Sequence, residues 1–310
     1  MPEGPTVRRF SSLVSPFVGQ QVVKVGGSTK QIALQDVMGR WIHDCQVQGK
    51  KLYIAFGCCK TREAASADAQ EQGDEEEEEE KSLCDPAPSD SSSPSTSHLS
   101  TASKEDDSSC TWLRFHFGLY GSIRANEIAR AKQGNKRGDW KDPTPRLILH
   151  FTSGGFLVFY NCRIHWCSSP DVEPSCDILS PEFDKKKALS VLSAPKPVCI
   201  TLMDQRHFSG VGNIIKNEIL YLAGVHPLSL GSLVPADTLS ALIDHAISFT
   251  AQWYRNKMQG EPMHYHIYMK ESCEKGHKVV KESIGPPCGL KRLTWYCPTC
   301  QELAQPKEPT

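Results

Sequence analysis

An acidic segment at residues 58–110 constrains the fold of this chain more than any other feature. It contains the run DEEEEEEKSLCDPAPSDSSSPSTS and has almost no aliphatic residues. Without apolar side chains to bury, such a segment cannot offset the entropy lost when its backbone is ordered. The sequence therefore predicts a disordered loop inserted into a folded domain, with the segments on either side sharing one core.

The acidic segment also masks the charge of the remaining chain. Residues 58–111 carry 15 acidic and four basic residues, a net charge of −11, whereas the whole chain carries −1. The remaining residues therefore carry a net charge of +10, which favours a polyanionic partner. Basic residues scattered over a solvated surface would give the same net charge. A chain of 310 residues has room for about two domains.

The spacing of apolar residues predicts strands in the first half of the chain and helices in the second. A helix is expected over residues 5–18, ended by Gly19. Short segments rich in β-branched and aromatic residues follow, and they favour an antiparallel sandwich or barrel. After about residue 178 the apolar period is near 3.6, which predicts helices in FDKKKALSVLS, NIIKNEILYLAG and PADTLSALIDHAISFTAQWYRNKM.

Two features bear on the cellular compartment. No segment has the composition of a signal peptide, and no apolar run approaches the roughly 20 residues that span a bilayer. Thirteen cysteines without regular spacing fit free thiols and metal ligands better than disulfides. We therefore expect a soluble protein without membrane contact, in the reducing cytosol or nucleus.

Two close pairs of ligands, CEKGH and CPTC, predict a metal site. They supply Cys273, His277, Cys297 and Cys300, which form a complete tetrahedral set for a structural Zn²⁺. All four positions are filled by protein, so this metal is expected to hold the fold without activating water. The alternative is a coincidental group of cysteines, and Cys288, between the pairs, is expected to take no part.

The stretch SGVGNIIKNE places a glycine-rich turn before a helix. Gly210 and Gly212 would let backbone amides approach an anion, and Asn213 can cap the helix or donate a hydrogen bond. A phosphate would fit at this helix start, and an ordinary helix entry is an equal alternative. Arg292, shortly before the second ligand pair, is placed to give another phosphate contact.

The first residues, MPEGP, offer a candidate nucleophile. Removal of Met1 would leave Pro2 as a free secondary amine beside the carboxyl group of Glu3. An amine next to an acid is sufficient for imine chemistry on a carbonyl. The alternative is structural, because proline is common at helix starts and acidic residues favour the first helical turn.

Five motifs in a fixed order carry a family resemblance: MPEGP, GKK, HFGLYGS, DQRHFSGVGNIIKNEILYLAGVHP and RLTWYCPTCQ. Together they resemble the formamidopyrimidine-DNA glycosylase and endonuclease VIII family. The resemblance implies a multidomain α+β fold, in which an antiparallel β-sandwich is joined to a helical helix-two-turns-helix domain with a zinc-finger β-hairpin. The implied division is a catalytic domain at 2–170 with the 58–110 insert, a linker at 171–178, the helical domain at 179–262, the zinc finger at 263–302 and a disordered tail at 303–310.

The resemblance further implies a bifunctional DNA glycosylase and AP lyase of base excision repair. Its expected substrate is DNA containing oxidised bases, mainly pyrimidines, or abasic sites, cut by β,δ-elimination. Pro2 is implied as the nucleophile that forms a Schiff base, and Glu3 as the acid that protonates the sugar. Lys50 is implied as a phosphate-contacting lysine that supports catalysis, although Lys50 and Lys51 could also be ordinary solvated strand lysines.

The resemblance assigns DNA contacts as well. Asn213 and Arg292 are implied to grip the backbone of the flipped-out nucleotide, and Leu119 to fill the gap in the base stack unless it is an ordinary turn residue. The other implied DNA contacts are Lys216, Gly212 and Arg163. The family's guanine-lesion branch has an Arg-Arg-Phe trio where this chain reads NCRIHW, so His165 replaces the aromatic residue that faces the opposite base.

The expected partners are damaged DNA and, through the acidic insert, other repair proteins. A monomer is expected, located in the nucleus, with the cytoplasm as a second location. Two other functions fit parts of the sequence. A non-catalytic damaged-DNA-binding module would need the zinc site, Asn213 and Arg292 without Pro2 or Glu3, and an interaction scaffold would depend on the acidic insert.

Overall fold

The structure, a computed structural model, describes residues 2–59, 110–131, 141–286 and 288–306. Most of the predicted disordered loop at 58–110 and the last residues of the predicted disordered tail lie outside these ranges. Within the ranges that are described, none of the helices has both the length and the apolar character needed to cross a bilayer.

The chain begins with helix α1, Gly4–Val14, as the apolar spacing predicted. Val7 and Phe10 lie on its inner face and are buried. The α-helix changes at Ser15–Phe17 into a single 3-10 turn. Pro16 explains this change, because a proline has no N–H with which to continue the α-helical hydrogen bonds.

Eight strands in the described part of the first half form two four-stranded antiparallel sheets, in the orders β1-β6-β7-β5 and β2-β3-β4-β8. Phe115 and Phe159 come from different sheets, and their rings stack with centroids 4.6 Å apart. The inner faces therefore meet in one core, which confirms the predicted antiparallel sandwich. The strands are β1 Val22–Gly26, β2 Trp41–Gln48, β3 Lys51–Gly57, β4 Thr111–His116, β5 Ser122–Ala125, β6 Leu147–Phe151, β7 Phe156–Tyr160 and β8 Arg163–Cys167.

The second half is helical and has its own core, as predicted. A four-residue helix, Val198–Thr201, was not predicted, because it is too short to show a 3.6-residue period. The longest helix ends at Gly260, whose φ of 76° suits glycine. The helices are α2 Lys185–Leu192, α3 Val198–Thr201, α4 Asn213–Leu222 and α5 Ala236–Gln259, followed by a hairpin of β9 Val280–Ile284 and β10 Arg292–Tyr296.

One buried carboxylate joins the two halves of the chain. Asp177, which is 3% exposed, accepts a hydrogen bond from the backbone N–H of Gly49 at 2.8 Å. It also accepts from the N–H of Leu179 at 2.9 Å and lies 3.5 Å from the guanidinium of Arg8 in α1. Asp177 therefore fixes the β2–β3 turn, and with it Lys50, against the start of the helical half.

Replacing Asp177 with alanine is expected to lower the free energy of unfolding by about 2–3 kcal/mol, because a buried N–H loses its charged acceptor. Asp171→Ala is the matched control. Asp171 also pairs with a cation, Lys51 at 2.8 Å, but its side chain is 82% exposed, and the expected loss is at most about 0.5 kcal/mol. Urea unfolding measures both, and equal losses would contradict the structural role of Asp177.

Candidate active site

The carboxylate of Glu3 lies against the N-terminus of helix α4. It is fully buried, and its two oxygens accept hydrogen bonds from the backbone N–H groups of Ile214 at 2.8 Å and Ile215 at 3.1 Å. The positive end of a helix suits an anion. A phosphate would fit such a turn, as the sequence indicated, but these two amides already have an acceptor. The chain's own carboxylate holds these amides.

Glycines make this close approach possible. The N–H of Gly4 donates to the carbonyl oxygen of Gly210 at 2.9 Å, and a Cβ on Gly4 would lie only 3.1 Å from the Cα of Gly210. A Cβ on Gly212 would lie 2.2 Å from Cδ of Glu3. Gly212, which the resemblance assigned to DNA contact, therefore provides the space that the Glu3 side chain occupies.

The surroundings shift the pKa values of two predicted catalytic groups in opposite directions. Burial raises the pKa of Glu3, while Lys50 and the amide hydrogen bonds oppose that change. Burial lowers the pKa of Lys50 to about 8, with Glu3 acting against this shift and Arg292 adding to it. The same burial thus moves the pKa values of an acid and a base in opposite directions, which is typical of catalytic sites.

Pro2 is buried directly before Glu3, at the start of α1. A cavity of about 340 Å³ lies beside Lys50 and is lined by the basic side chains of Lys51 and Arg206 as well as by His116. Burial lowers the pKa of His116, and the nearby Arg163 lowers it further. The acidic side chains of Asp171 and Glu173 also line this cavity, so its lining carries both signs of charge.

A second cleft, of about 420 Å³, brings together three residues that the resemblance assigned to DNA: Leu119, Asn213 and Arg292. Leu119 lies in the turn between β4 and β5 and is 47% exposed. The next residue, Tyr120, lines the same cleft and is 81% exposed. Tyr120 was not predicted from the sequence, although an aromatic residue beside a proposed wedge is itself a signal for base stacking.

Lys216, another predicted DNA contact, is only 2% exposed. Its ammonium group donates to Oδ1 of Asn213 at 2.9 Å and to Oγ1 of Thr294 at 2.8 Å, and burial lowers its pKa to about 8. The Asn213 amide in turn donates to the carbonyl oxygen of Leu293 at 2.8 Å. Lys216 therefore orients Asn213 from inside the protein. Arg163, by contrast, is exposed at the start of β8, opposite His116.

Near the C-terminal end, the four predicted metal ligands converge. The ligand atoms of Cys273, His277, Cys297 and Cys300 all lie within 4.8 Å of one another. The sulfur atoms of Cys273 and Cys300 are 3.9 Å apart, close to the edge of about 3.8 Å in a tetrahedron with metal–sulfur bonds of roughly 2.3 Å. This group can bind a metal. Cys288 is exposed and does not belong to it.

Glu218, which the sequence analysis did not single out, supports the segment before the metal ligands. It is fully buried, and its carboxylate accepts backbone hydrogen bonds from His266 at 2.7 Å, Ile267 at 3.1 Å and Tyr268 at 2.7 Å. Since Glu218 lies on α4, the helix that holds Glu3 also positions the metal-binding region.

Comparisons with known proteins agree with this arrangement. Residues 175–253 match the formamidopyrimidine-DNA glycosylase H2TH domain. Endonuclease 8-like 2 of Homo sapiens is 49% identical over 97% of this chain and 96% of that protein, and the Bos taurus protein is 50% identical over 100% and 98%.

Among solved structures, Lactococcus lactis formamidopyrimidine-DNA glycosylase, non-covalently bound to DNA containing an AP site, has a TM-score of 0.64. It is 19% identical over 97% of this chain and 99% of that one, a similarity that shows the shared fold. The chain therefore belongs to the formamidopyrimidine-DNA glycosylase and endonuclease VIII family, within its endonuclease 8-like 2 group.

Proposed function

We propose that this protein is a bifunctional DNA glycosylase and AP lyase of base excision repair. The observation that carries the proposal is the burial of Glu3 beside Pro2, under the amides of α4 and close enough to Lys50 for their charges to interact. An acid with a raised pKa next to a chain-terminal amine is suited to chemistry at a sugar carbon. Full-length similarity to endonuclease 8-like 2 supports the same activity.

The reaction follows from these groups once Met1 is removed. The Pro2 nitrogen attacks C1′ of the damaged nucleotide, and the base leaves with the electron pair of its bond to C1′ and the proton that the amine gives up. Glu3 then gives a proton to the ring oxygen, so that the bond from C1′ to that oxygen breaks and the sugar opens to an iminium ion. The iminium makes a proton on C2′ acidic, and its loss expels the 3′ phosphate. A second elimination expels the 5′ phosphate. The positive end of α1 disfavours the ammonium form of Pro2, which leaves more free nucleophile.

The cleft lined by Leu119, Tyr120, Asn213 and Arg292 is proposed to hold the DNA backbone and the gap in the base stack. A base must leave the duplex before its sugar carbon can be attacked, and an apolar wedge with phosphate contacts offsets the lost stacking. Lys216 is proposed to act through Asn213.

The proposed substrates are oxidised bases, mainly pyrimidines, and abasic sites. Arg163 is proposed to face the opposite strand.

Zn²⁺ is the proposed metal of the group formed by Cys273, His277, Cys297 and Cys300, because three thiolates and one imidazole fill a tetrahedral site. Its role would be structural, holding the hairpin that carries Arg292. The proposed division of the chain is the one predicted from sequence, and separate cores before residue 170 and after 177 support its boundary between the catalytic and helical domains. A monomer in the nucleus is proposed, with the cytoplasm as a second location.

A non-catalytic damaged-DNA-binding module is not favoured, because it would have no need of a buried acid beside Pro2. The other alternative, a scaffold organised by the acidic insert, concerns residues outside the described ranges, as do the proposed repair partners of that insert.

The proposed function is tested by trapping the imine with borohydride on DNA that contains an oxidised pyrimidine. Wild-type protein without Met1 is expected to form a covalent adduct. Glu3→Gln is expected to lower base excision by at least about 100-fold, since it removes the acid, and to lower scission of a ready-made abasic site much less. Equal loss of both activities would contradict the role of Glu3. The absence of any adduct with the wild-type protein would contradict the proposed enzymatic activity.

Strand scission at an abasic site is expected to fall as the pH rises through about 8, because Lys50 then loses the charge that holds phosphate. Lys50→Arg should keep that charge at high pH and move this fall upward by at least about one pH unit. Lys51→Arg is the matched control, since the Asp171 carboxylate helps to raise the pKa of Lys51. A shift in the control, or an unchanged profile in Lys50→Arg, would contradict the assignment.

A further inference from the structure

A second group of metal-ligating side chains lies next to the predicted zinc site. It consists of His264, His266 and Glu274, whose ligand atoms all lie within 4.8 Å of one another. Nε2 of His264 is 3.0 Å from Oε1 of Glu274, and Nδ1 of His266 is 2.7 Å from the same oxygen. None of these side chains has a role in the chemistry proposed above.

The distances suit a shared cation. Two ligand atoms bound at about 2.1 Å to one metal are roughly 3.0 Å apart at right angles and 3.4 Å apart in a tetrahedron. The two nitrogen–oxygen separations, 3.0 and 2.7 Å, are already near that range. The nitrogen of His264 can be brought into place by side-chain rotation, because that side chain is 68% exposed.

Two of the three ligands are held by separate parts of the fold. The backbone N–H of His266 is bonded to Glu218 on α4, and its ring lies nearly parallel to Tyr221, with centroids 6.4 Å apart. Glu274 follows Cys273, whose N–H donates to the carbonyl oxygen of His277 at 2.9 Å. An ion here would therefore link the segment after α5 to the loop that carries the first pair of zinc ligands.

We propose that His264, His266 and Glu274 form a second metal site, which takes one divalent transition ion of the Zn²⁺ or Ni²⁺ class. Two imidazoles and one carboxylate favour such ions over Mg²⁺ or Ca²⁺, which prefer all-oxygen sites. Three protein ligands leave coordination positions open, so this ion exchanges with solvent, unlike one closed in by four protein ligands. The bound ion stabilises the connection between α5 and the zinc hairpin.

The experiment uses the whole protein carrying its tightly bound zinc, dialysed against a weak chelator to remove loosely held metal. Zn²⁺ is then titrated and followed by calorimetry. One further equivalent is expected to bind with a dissociation constant in the micromolar range, and to raise the melting temperature. The variants His264→Ala and Glu274→Gln are expected to weaken this binding by at least tenfold.

His245→Ala, on α5 and outside the group, is the matched control and should bind the second equivalent as the wild type does. The His264 side chain is mostly exposed, so its loss should leave the fold intact, and an unchanged melting temperature of the variant without added metal checks this. The proposal is overturned if the wild type takes up no further zinc. It is equally overturned if a second equivalent persists unweakened in His264→Ala and Glu274→Gln, because the ion would then lie elsewhere.

Discussion

A protein that carries one extra glycine before Pro2 is expected to lose imine trapping, base excision and strand scission together. The nitrogen of Pro2 becomes a tertiary amide, which has no available electron pair for attack on C1′. Activity is expected to fall by at least about 10³-fold on both damaged-base and abasic-site DNA. Single-turnover cleavage of both substrates measures this effect, and intact mass confirms the terminus of each preparation.

The matched control places the extra glycine at the C-terminal end, where full activity is expected. DNA affinity should remain within about twofold in both proteins, because the cleft around Asn213 and Arg292 is unchanged. Scission at an undiminished rate by the N-terminally extended protein would refute the proposed nucleophile.

Gly212→Ala is expected to lower base excision by at least about 100-fold, although the residue carries no chemical group of its own. The added Cβ would lie 2.2 Å from Cδ of Glu3, so the carboxylate must leave the amides of Ile214 and Ile215. Overpacking of this kind also costs about 1–3 kcal/mol of stability. Kinetics on a damaged-base substrate and urea unfolding measure the two effects.

Gly26→Ala is the matched control, because nothing lies within 4 Å of its added Cβ, and it should leave both measurements unchanged. The double variant Glu3→Asp with Gly212→Ala tests the contact itself. Aspartate is one methylene shorter, so part of the stability lost in Gly212→Ala should return. Losses that simply add would show that the two residues do not clash.

Much of this architecture could be predicted from local sequence. The 3.6-residue period of α4 and α5, the alternating strand segments and the two ligand pairs are short-range patterns. In each, the spacing of residues follows from the face of an element that is buried or from the atoms that bind a metal. The candidate nucleophile was found in the same way, since Pro2 and Glu3 are neighbours. The family resemblance then supplied a role for Lys50 that no local pattern contains.

The long-range contacts could not be predicted. Glu3 meets Ile214 across 211 positions and Asp177 meets Gly49 across 128, and no periodicity connects such pairs. The start of α4 shows the physical reason: a glycine turn before a helix indicates a place for an anion but not which anion occupies it. The burial of Lys216 was missed for a similar reason, because its partner Thr294 belongs to a hairpin far along the chain.

The position of Glu3 makes its acidity depend on the joining of the two halves of the molecule. Its side chain belongs to the first half, but both of its amide donors belong to the second. If the halves moved apart, water would hydrate the carboxylate, and its pKa would return toward that of an ordinary glutamate. The acid step is thereby confined to the assembled cleft.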